Sequence, residues 1–118
     1  MSKSTTSYKI KNQEALYYLT FSTIGWVDIF TRKVYRDILI DSLRFCIKEK
    51  GLRLFSYVIM SNHVNMICKA DEGFNLSDII RDVKKFTSKQ LIKTIQAGQE
   101  SRSEWMLVIF GKAGSSNP

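Results

Sequence analysis

The feature that most constrains the fold is the stretch of residues 57–67, in which two apolar runs flank a short polar break. Apolar, β-branched runs bounded by turn-forming residues predict strands, and Ser61 with Asn62 predicts the turn between them. Side chains alternate across a strand, so His63 and Asn65 share one face of the second strand. Two polar side chains at this spacing can converge on one metal ion or one phosphate group. His63 is the only histidine in the chain.

The rest of the chain supplies one more strand and two helices. Three segments have the composition and alternation of strands, namely residues 15–23, 53–60 and 63–70. Thr31 is a plausible N-cap for a helix that runs through Lys50 and is stopped by Gly51. Asn75, followed by Asp78, resembles the cap of a second helix that ends near residues 96–97.

Apolar residues at spacings of three and four predict the buried side of each helix. On the first helix this stripe comprises Tyr35, Ile38, Leu39, Ser42, Cys46 and Ile47. On the second it comprises Leu76, Ile79, Ile80, Val83, Phe86 and Leu91.

The order β-α-β-β-α predicts an α+β fold, a ferredoxin-like split β-α-β arrangement with a single antiparallel sheet and helices on one face. In it, the first and third strands lie side by side in the middle of the sheet, and the free face carries His63 and Asn65. A ferredoxin-like fold normally ends in a fourth strand, which either comes from residues 105–110 or is lacking. We expect one domain over residues 1–118, with residues 1–12 and 111–118 flexible.

The charge indicates an anionic partner. A formal net charge of +7 on 118 residues favours nucleic acid, although such an excess can also serve solubility alone. The basic residues concentrate between Arg81 and Lys93, where five face a single acid. Thr87 adds a hydroxyl donor for phosphate. The candidate DNA contacts of this helix are Arg81, Lys84, Lys85, Ser88, Lys89 and Lys93.

Two further observations concern the compartment. Cys46 and Cys68 are widely separated and lie within apolar patterns, so buried reduced thiols are expected rather than a zinc site or a disulfide. No apolar run approaches the ~18 residues of a membrane span, and no signal-like segment is recognisable. We expect a cytoplasmic protein without a membrane partner.

Residues 57–65, which read Tyr-Val-Ile-Met-Ser-Asn-His-Val-Asn, resemble the signature of the HUH single-strand DNA transposases of mobile insertion sequences. The likeness is strongest to the REP-associated tyrosine transposases, in which an Ile-Met-Pro-Asn-type turn leads into His-hydrophobic-His on a central strand. The order of elements is similar over roughly residues 13–110. Ser61 stands in place of the family's proline, and Asn65 in place of its second histidine.

The resemblance implies single-stranded or hairpin DNA as partner, and DNA transposition and recombination as the biological role. In that family the histidine pair and a third polar ligand hold Mg²⁺ or Mn²⁺ while a downstream tyrosine attacks the scissile phosphate. Here only His63 matches a metal-ligand position, and Asn65 offers a weaker, neutral amide oxygen. All five tyrosines precede His63, so no catalytic nucleophile is found. We expect weak metal binding, and no strand cleavage unless a missing segment or another chain supplies the tyrosine.

Two other functions stay open. Besides a DNA-binding transposase-family protein, the alternatives are an RNA-binding ferredoxin-like module and a decayed mobile-element fragment without specific activity. Against RNA binding, the sequence has no Lys-Gly-Phe-Gly-Phe run and no Gly-x-x-Gly clamp. An unfinished sheet edge would favour a homodimer.

Overall fold

The computed structural model of the protein describes residues 12–13, 15–23 and 28–98. These residues form three strands, two α-helices and one 3-10 turn. In chain order they are β1 (Tyr17–Ser22), the 3-10 turn Ile29–Thr31, α1 (Lys33–Glu49), β2 (Leu52–Ile59), β3 (His63–Ala70) and α2 (Leu76–Ala97). This order confirms the predicted α+β class and split β-α-β arrangement. The candidate fourth strand at residues 105–110 and most of the ends predicted to be flexible lie outside the described residues.

β3 is the middle strand of the described sheet, whose order is β1-β3-β2 with antiparallel pairing throughout. The predicted adjacency of the first and third strands is therefore confirmed. β1 would also be a middle strand only if a further strand lay on its other side. β2 carries a bulge between Leu54 and Ser56, where its register with β3 shifts.

Both helices pack on one face of the sheet. Along β3, buried residues (Val64, Met66, Cys68, Ala70) alternate with half-exposed ones, as expected of a strand covered on one side only. α1 packs against β2 and α2, and α2 packs against β3. The buried stripe of α1 is Tyr35, Leu39, Ser42, Leu43 and Cys46. The prediction was wrong for Ile47, which is exposed, and it missed Leu43.

The entry to α1 differs from the prediction. Thr31 does not cap the helix, because it closes the 3-10 turn and donates its hydroxyl hydrogen to the Asp28 backbone oxygen at 3.0 Å. Arg32 occupies the N-cap position without a side-chain capping bond. The turn is held by Ile29 and Phe30, which are buried, so tertiary packing overrides the local capping preference.

The ends of both helices otherwise follow the sequence. The Asn75 side-chain oxygen accepts a hydrogen bond from the Asp78 backbone N–H at 3.1 Å, which confirms the predicted cap of α2. Gly51 follows α1 with a φ of +78°, a left-handed conformation that glycine adopts readily. Within the described part of the chain, neither helix is long and apolar enough to cross a membrane.

Candidate nucleic-acid interface

The turn between β2 and β3 is fixed by backbone hydrogen bonds to two other elements. The Thr23 backbone N–H, just after β1, donates to the Asn62 backbone oxygen at 2.9 Å. The Phe30 N–H, in the 3-10 turn, donates to the Ser61 oxygen at the same distance. The polar break in the sequence is thereby anchored on both sides, and it holds His63 at the start of β3.

His63 and Asn65 both lie on the sheet face that the helices leave uncovered, as predicted, and both are half-buried. The His63 Nδ1 atom is 3.1 Å from the Asn62 side-chain oxygen. Because that oxygen can only accept, Nδ1 carries the hydrogen in this contact. Asn65 pairs across the sheet with Thr20, whose hydroxyl donates to the Asn65 Oδ1 atom at 2.8 Å.

His63 and Asn65 offer few ligand atoms to Mg²⁺ or Mn²⁺. Hard divalent cations prefer carboxylate and carbonyl oxygens, and the Asn65 amide oxygen already uses one of its two lone pairs to accept from Thr20. Across the described ranges, no three His, Cys, Asp or Glu side chains lie close enough together to hold a metal ion. Metal binding by His63 and Asn65 stays a prediction from the sequence.

The uncovered sheet face carries one continuous set of side chains, because directly paired residues of adjacent strands point to the same face. We call it the open face. Its members are Tyr18, Thr20 and Ser22 of β1, Arg53, Ser56 and Val58 of β2, and His63, Asn65, Ile67 and Lys69 of β3. None of these residues is acidic.

The chemical character of the side chains on the open face changes along the strands. At the turn end it is polar, with Ser22 beside His63 and Thr20 beside Asn65. Its middle is apolar and aromatic, with the ring of Tyr18 opposite Ile67 and 62% of the tyrosine exposed. The face therefore offers an exposed aromatic surface next to a polar end.

The other end of the open face is cationic. Arg53 and Lys69 are direct partners across β2 and β3, an arrangement that is unfavourable for like charges unless an anion lies between them. Arg53 is also 3.6 Å from the Asp71 carboxylate and stacks over the Phe55 ring at 5.6 Å. Both partners of Arg53 are exposed, so its guanidinium remains accessible to a ligand.

The predicted basic helix α2 lies in the helix layer, away from the open face. Arg81 is held in ion pairs with Asp78 and Asp82, at 3.2 and 3.4 Å. Lys84 is half-buried, its Nζ atom 5.4 Å from the centre of the Phe21 ring, and this burial lowers its pKa. Arg81 is nevertheless 67% exposed, whereas Lys84 has less of its side chain available to a phosphate.

The remaining candidates on α2 are exposed: Lys85, Ser88, Lys89 and Lys93. Lys89 and Lys93 line a groove between α1 and α2, whose floor includes Phe86 packed edge-to-face on Phe45 at 5.4 Å. Thr87 is not available to phosphate, since it is 7% exposed and faces the core. The sequence-predicted set therefore does not form one surface with His63.

The sequence reasoning missed three members of the open face, namely Tyr18, Arg53 and Lys69. Tyr18 was assigned to the strand but not to the interface. Alternation could have found two of them: Tyr18 lies two residues from Thr20, the partner of Asn65, and Lys69 lies four residues from Asn65 itself. Arg53 lies five residues from Val58, the partner of Asn65 on β2, and only the bulge in β2 brings it to the same face. The shared position of Arg53 and Lys69 depends on strand register, which includes the bulge in β2.

Fold and site together define a small basic α+β protein whose open sheet face carries a polar Asn-His turn. The chain belongs to a transposase family, because the pattern described as "Transposase IS200 like" matches residues 5–108. No curated protein matches it. Its fold is similar to the crystal structure of a protein from Deinococcus radiodurans R1 that is provisionally described as a transposase, with a TM-score of 0.58 and 21% identity. That match covers 68% of this chain, which spans 61% of the length of the solved protein.

Proposed function

We propose that this chain binds single-stranded or hairpin DNA on its open face, as a transposase-family protein that does not cleave the strand by itself. The observation that supports this most directly is the composition of the open face, with an exposed tyrosine between a polar end and a cationic end. Family membership supports DNA as the partner.

Base stacking is the first source of affinity in this proposal. Exposed aromatic rings on a sheet stack unpaired bases and contribute about 1–3 kcal/mol per base. Tyr18 presents its ring in this way, and Val58, which is 50% exposed, extends the apolar surface towards β2. From His63 to Lys69, β3 extends for about 20 Å, a length that a short single-stranded segment can follow.

Phosphate contacts are the second source of affinity. Arg53 and Lys69 attract the backbone at one end of the open face. Lys85, Ser88, Lys89 and Lys93 offer a second contact surface on α2 for the part of the DNA that leaves the sheet. Arg81 and Lys84 contribute less, because Asp78 and Asp82 already bind Arg81 and because Lys84 is half-buried.

Strand cleavage is not part of the proposal. Cleavage with a covalent intermediate needs a nucleophile, and no tyrosine follows His63 in this sequence. Asn65 in place of the second histidine removes a ligand that the resembling family uses. The chain would therefore hold a DNA end without cutting it, unless a further segment of the protein or a second polypeptide supplies a tyrosine.

The test is fluorescence anisotropy with labelled single-stranded DNA hairpin, DNA duplex and RNA hairpin, at two salt concentrations. Tyr18→Ala is expected to weaken hairpin binding by about tenfold, which corresponds to ~1.4 kcal/mol. Tyr57→Ala is the matched control, since Tyr57 is 44% exposed but pairs with Met66 on the helix-side face.

Each outcome separates the candidate functions. Preference for the DNA hairpin, reduced in Tyr18→Ala alone, supports the proposal. Preference for RNA would favour an RNA-binding sheet instead. Weak binding that is equal for all three probes would identify a folded fragment of a mobile element without a specific partner. Equal losses in the two tyrosine variants would exclude the open face as the binding surface.

A further inference from the structure

The orientation of the Asn65 amide decides which chemistry the motif position offers. Its Oδ1 atom accepts the Thr20 hydroxyl hydrogen at 2.8 Å, so the oxygen is directed towards β1. Oxygen and nitrogen lie on different sides of the amide carbon, and the Nδ2 group therefore points away from Thr20. Within the described ranges no residue accepts a hydrogen bond from Nδ2. Asn65 thus presents two N–H donors on the open face, while its oxygen is turned towards Thr20 and β1.

The neighbouring groups have the same character. Ser22 pairs with His63 in the row next to Thr20 and Asn65, and its hydroxyl can donate. The ten residues of the open face include no carboxylate, and the far end carries Arg53 and Lys69. Among these ten residues a cation would find one imidazole and no carboxylate, whereas an anion would find several hydrogen-bond donors and two cationic side chains.

We propose that Thr20 and Asn65 convert this position from a metal site into a direct phosphate contact. In the bound state, Asn65 Nδ2 and the Ser22 hydroxyl donate hydrogen bonds to a phosphate oxygen of the DNA strand, and no divalent cation takes part. Thr20 is a positioning residue, since its hydroxyl fixes the amide with the donors outwards. This inference rests on the proposed function, because it places a DNA phosphate on the open face.

The first measurement is Mn²⁺ binding to the protein without DNA, monitored through the electron paramagnetic resonance signal of the free ion. The wild-type chain is expected to leave Mn²⁺ free. Thr20→Val combined with Asn65→Asp is expected to bind Mn²⁺ measurably, because the pair then offers an unengaged carboxylate beside His63. Binding of Mn²⁺ by the wild-type chain would overturn this inference and would leave the proposed DNA binding intact.

Hairpin affinity, measured with EDTA and then with added Mn²⁺, is the second measurement. The affinity of the wild-type chain for the hairpin is expected to be the same with EDTA as with Mn²⁺. Asn65→Asp replaces the donor group by a charged oxygen of the same shape, and at least about tenfold weaker binding is expected, equivalent to ~1.4 kcal/mol. Asn75→Asp is the matched control: it makes the same charge change at a helix cap that tolerates aspartate, and its affinity should stay within about twofold.

Thr20→Val keeps the shape of the side chain and removes only its hydroxyl, so a loss of affinity in this variant identifies the positioning role. Far-UV circular dichroism of each variant confirms that it is folded. An affinity for Asn65→Asp equal to that of Asn75→Asp, or a hairpin complex that forms only with Mn²⁺, would overturn the inference. A wild-type chain that binds no hairpin under either condition would refute the proposed function, and the phosphate contact with it.

Discussion

Gly51 connects α1 to β2, and replacing it by alanine should destabilise the protein for two separable reasons. Its φ of +78° is left-handed, which costs a residue with a Cβ atom roughly 1–2 kcal/mol. A Cβ atom at this position would also overlap the ring of Phe74. Phe74 is 45% exposed, so its ring can move outwards. The part of the ring that is now buried would then become exposed to water. That exposure costs about 1 kcal/mol, roughly half of what a fully buried phenylalanine contributes. Gly51→Ala should therefore lower the free energy of unfolding by about 2–3 kcal/mol.

Gly73, in the loop between β3 and α2 that also carries Phe74, provides a control. Its φ is +87°, but a Cβ atom there would meet nothing within 4 Å. Gly73→Ala should thus show the backbone cost alone, roughly 1–2 kcal/mol. Urea unfolding followed by circular dichroism gives both values. In the Phe74→Ala background the cost of Gly51→Ala should fall to that of Gly73→Ala, since the ring is gone. Equal losses for the two glycine variants in the wild-type background would refute the overlap argument.

Three further perturbations test other parts of the description. Thr87→Val should raise the free energy of unfolding by about 1 kcal/mol in urea titrations, because the buried hydroxyl has no hydrogen-bond partner among the described residues. The control is Thr94→Val at a half-exposed position, which should change the free energy of unfolding by under ~0.5 kcal/mol. A lower free energy of unfolding for Thr87→Val would show that the hydroxyl is hydrogen-bonded. Burial raises the pKa of the Cys68 thiol to about 11, so the folded state disfavours the thiolate and stability should fall as pH rises from 9 to 11. Unfolding titrations across that pH range should show a smaller fall in the free energy of unfolding for Cys68→Ala than for the wild-type chain. Equal falls in the two proteins would show that the Cys68 thiol does not cause the pH dependence. Lys89→Gln should reduce the slope of log K against log salt for single-stranded DNA by about 0.7 if Lys89 contacts phosphate. Lys48→Gln, which removes the same charge from α1, is the control, and equal slopes for the two variants would exclude a specific contact.

The elements of this fold are largely predictable because their patterns are local. β3 begins and ends at the predicted residues, and β2 differs by one residue at each end. The Asn75 cap also follows from sequence, since a cap satisfies groups within one helical turn. Thr31 failed as a cap because Phe30 is tied to Ser61, a partner thirty-one residues away that no local pattern indicates.

The site is less predictable, since it depends on register between distant strands. The sequence places His63 and Asn65 on one face, but it does not pair Asn65 with Thr20, forty-five residues earlier. That pairing decides whether the amide presents an oxygen or its N–H donors. Similarly, the basic run of α2 was predicted to supply a set of DNA contacts. Its individual members are distributed between ion pairs, the Phe21 ring and the groove between the helices.

The anchoring of the Ser61-Asn62 turn has a consequence for motion. Short polar turns usually open locally at little cost in free energy, and they then carry the residues beside them through many orientations. Here the turn cannot open without breaking bonds to the end of β1 and to the 3-10 turn at once, so its opening is coupled to that of the sheet and of the start of α1. His63 is consequently held in place before any ligand arrives, and a bound strand would lose little binding free energy to ordering this part of the site.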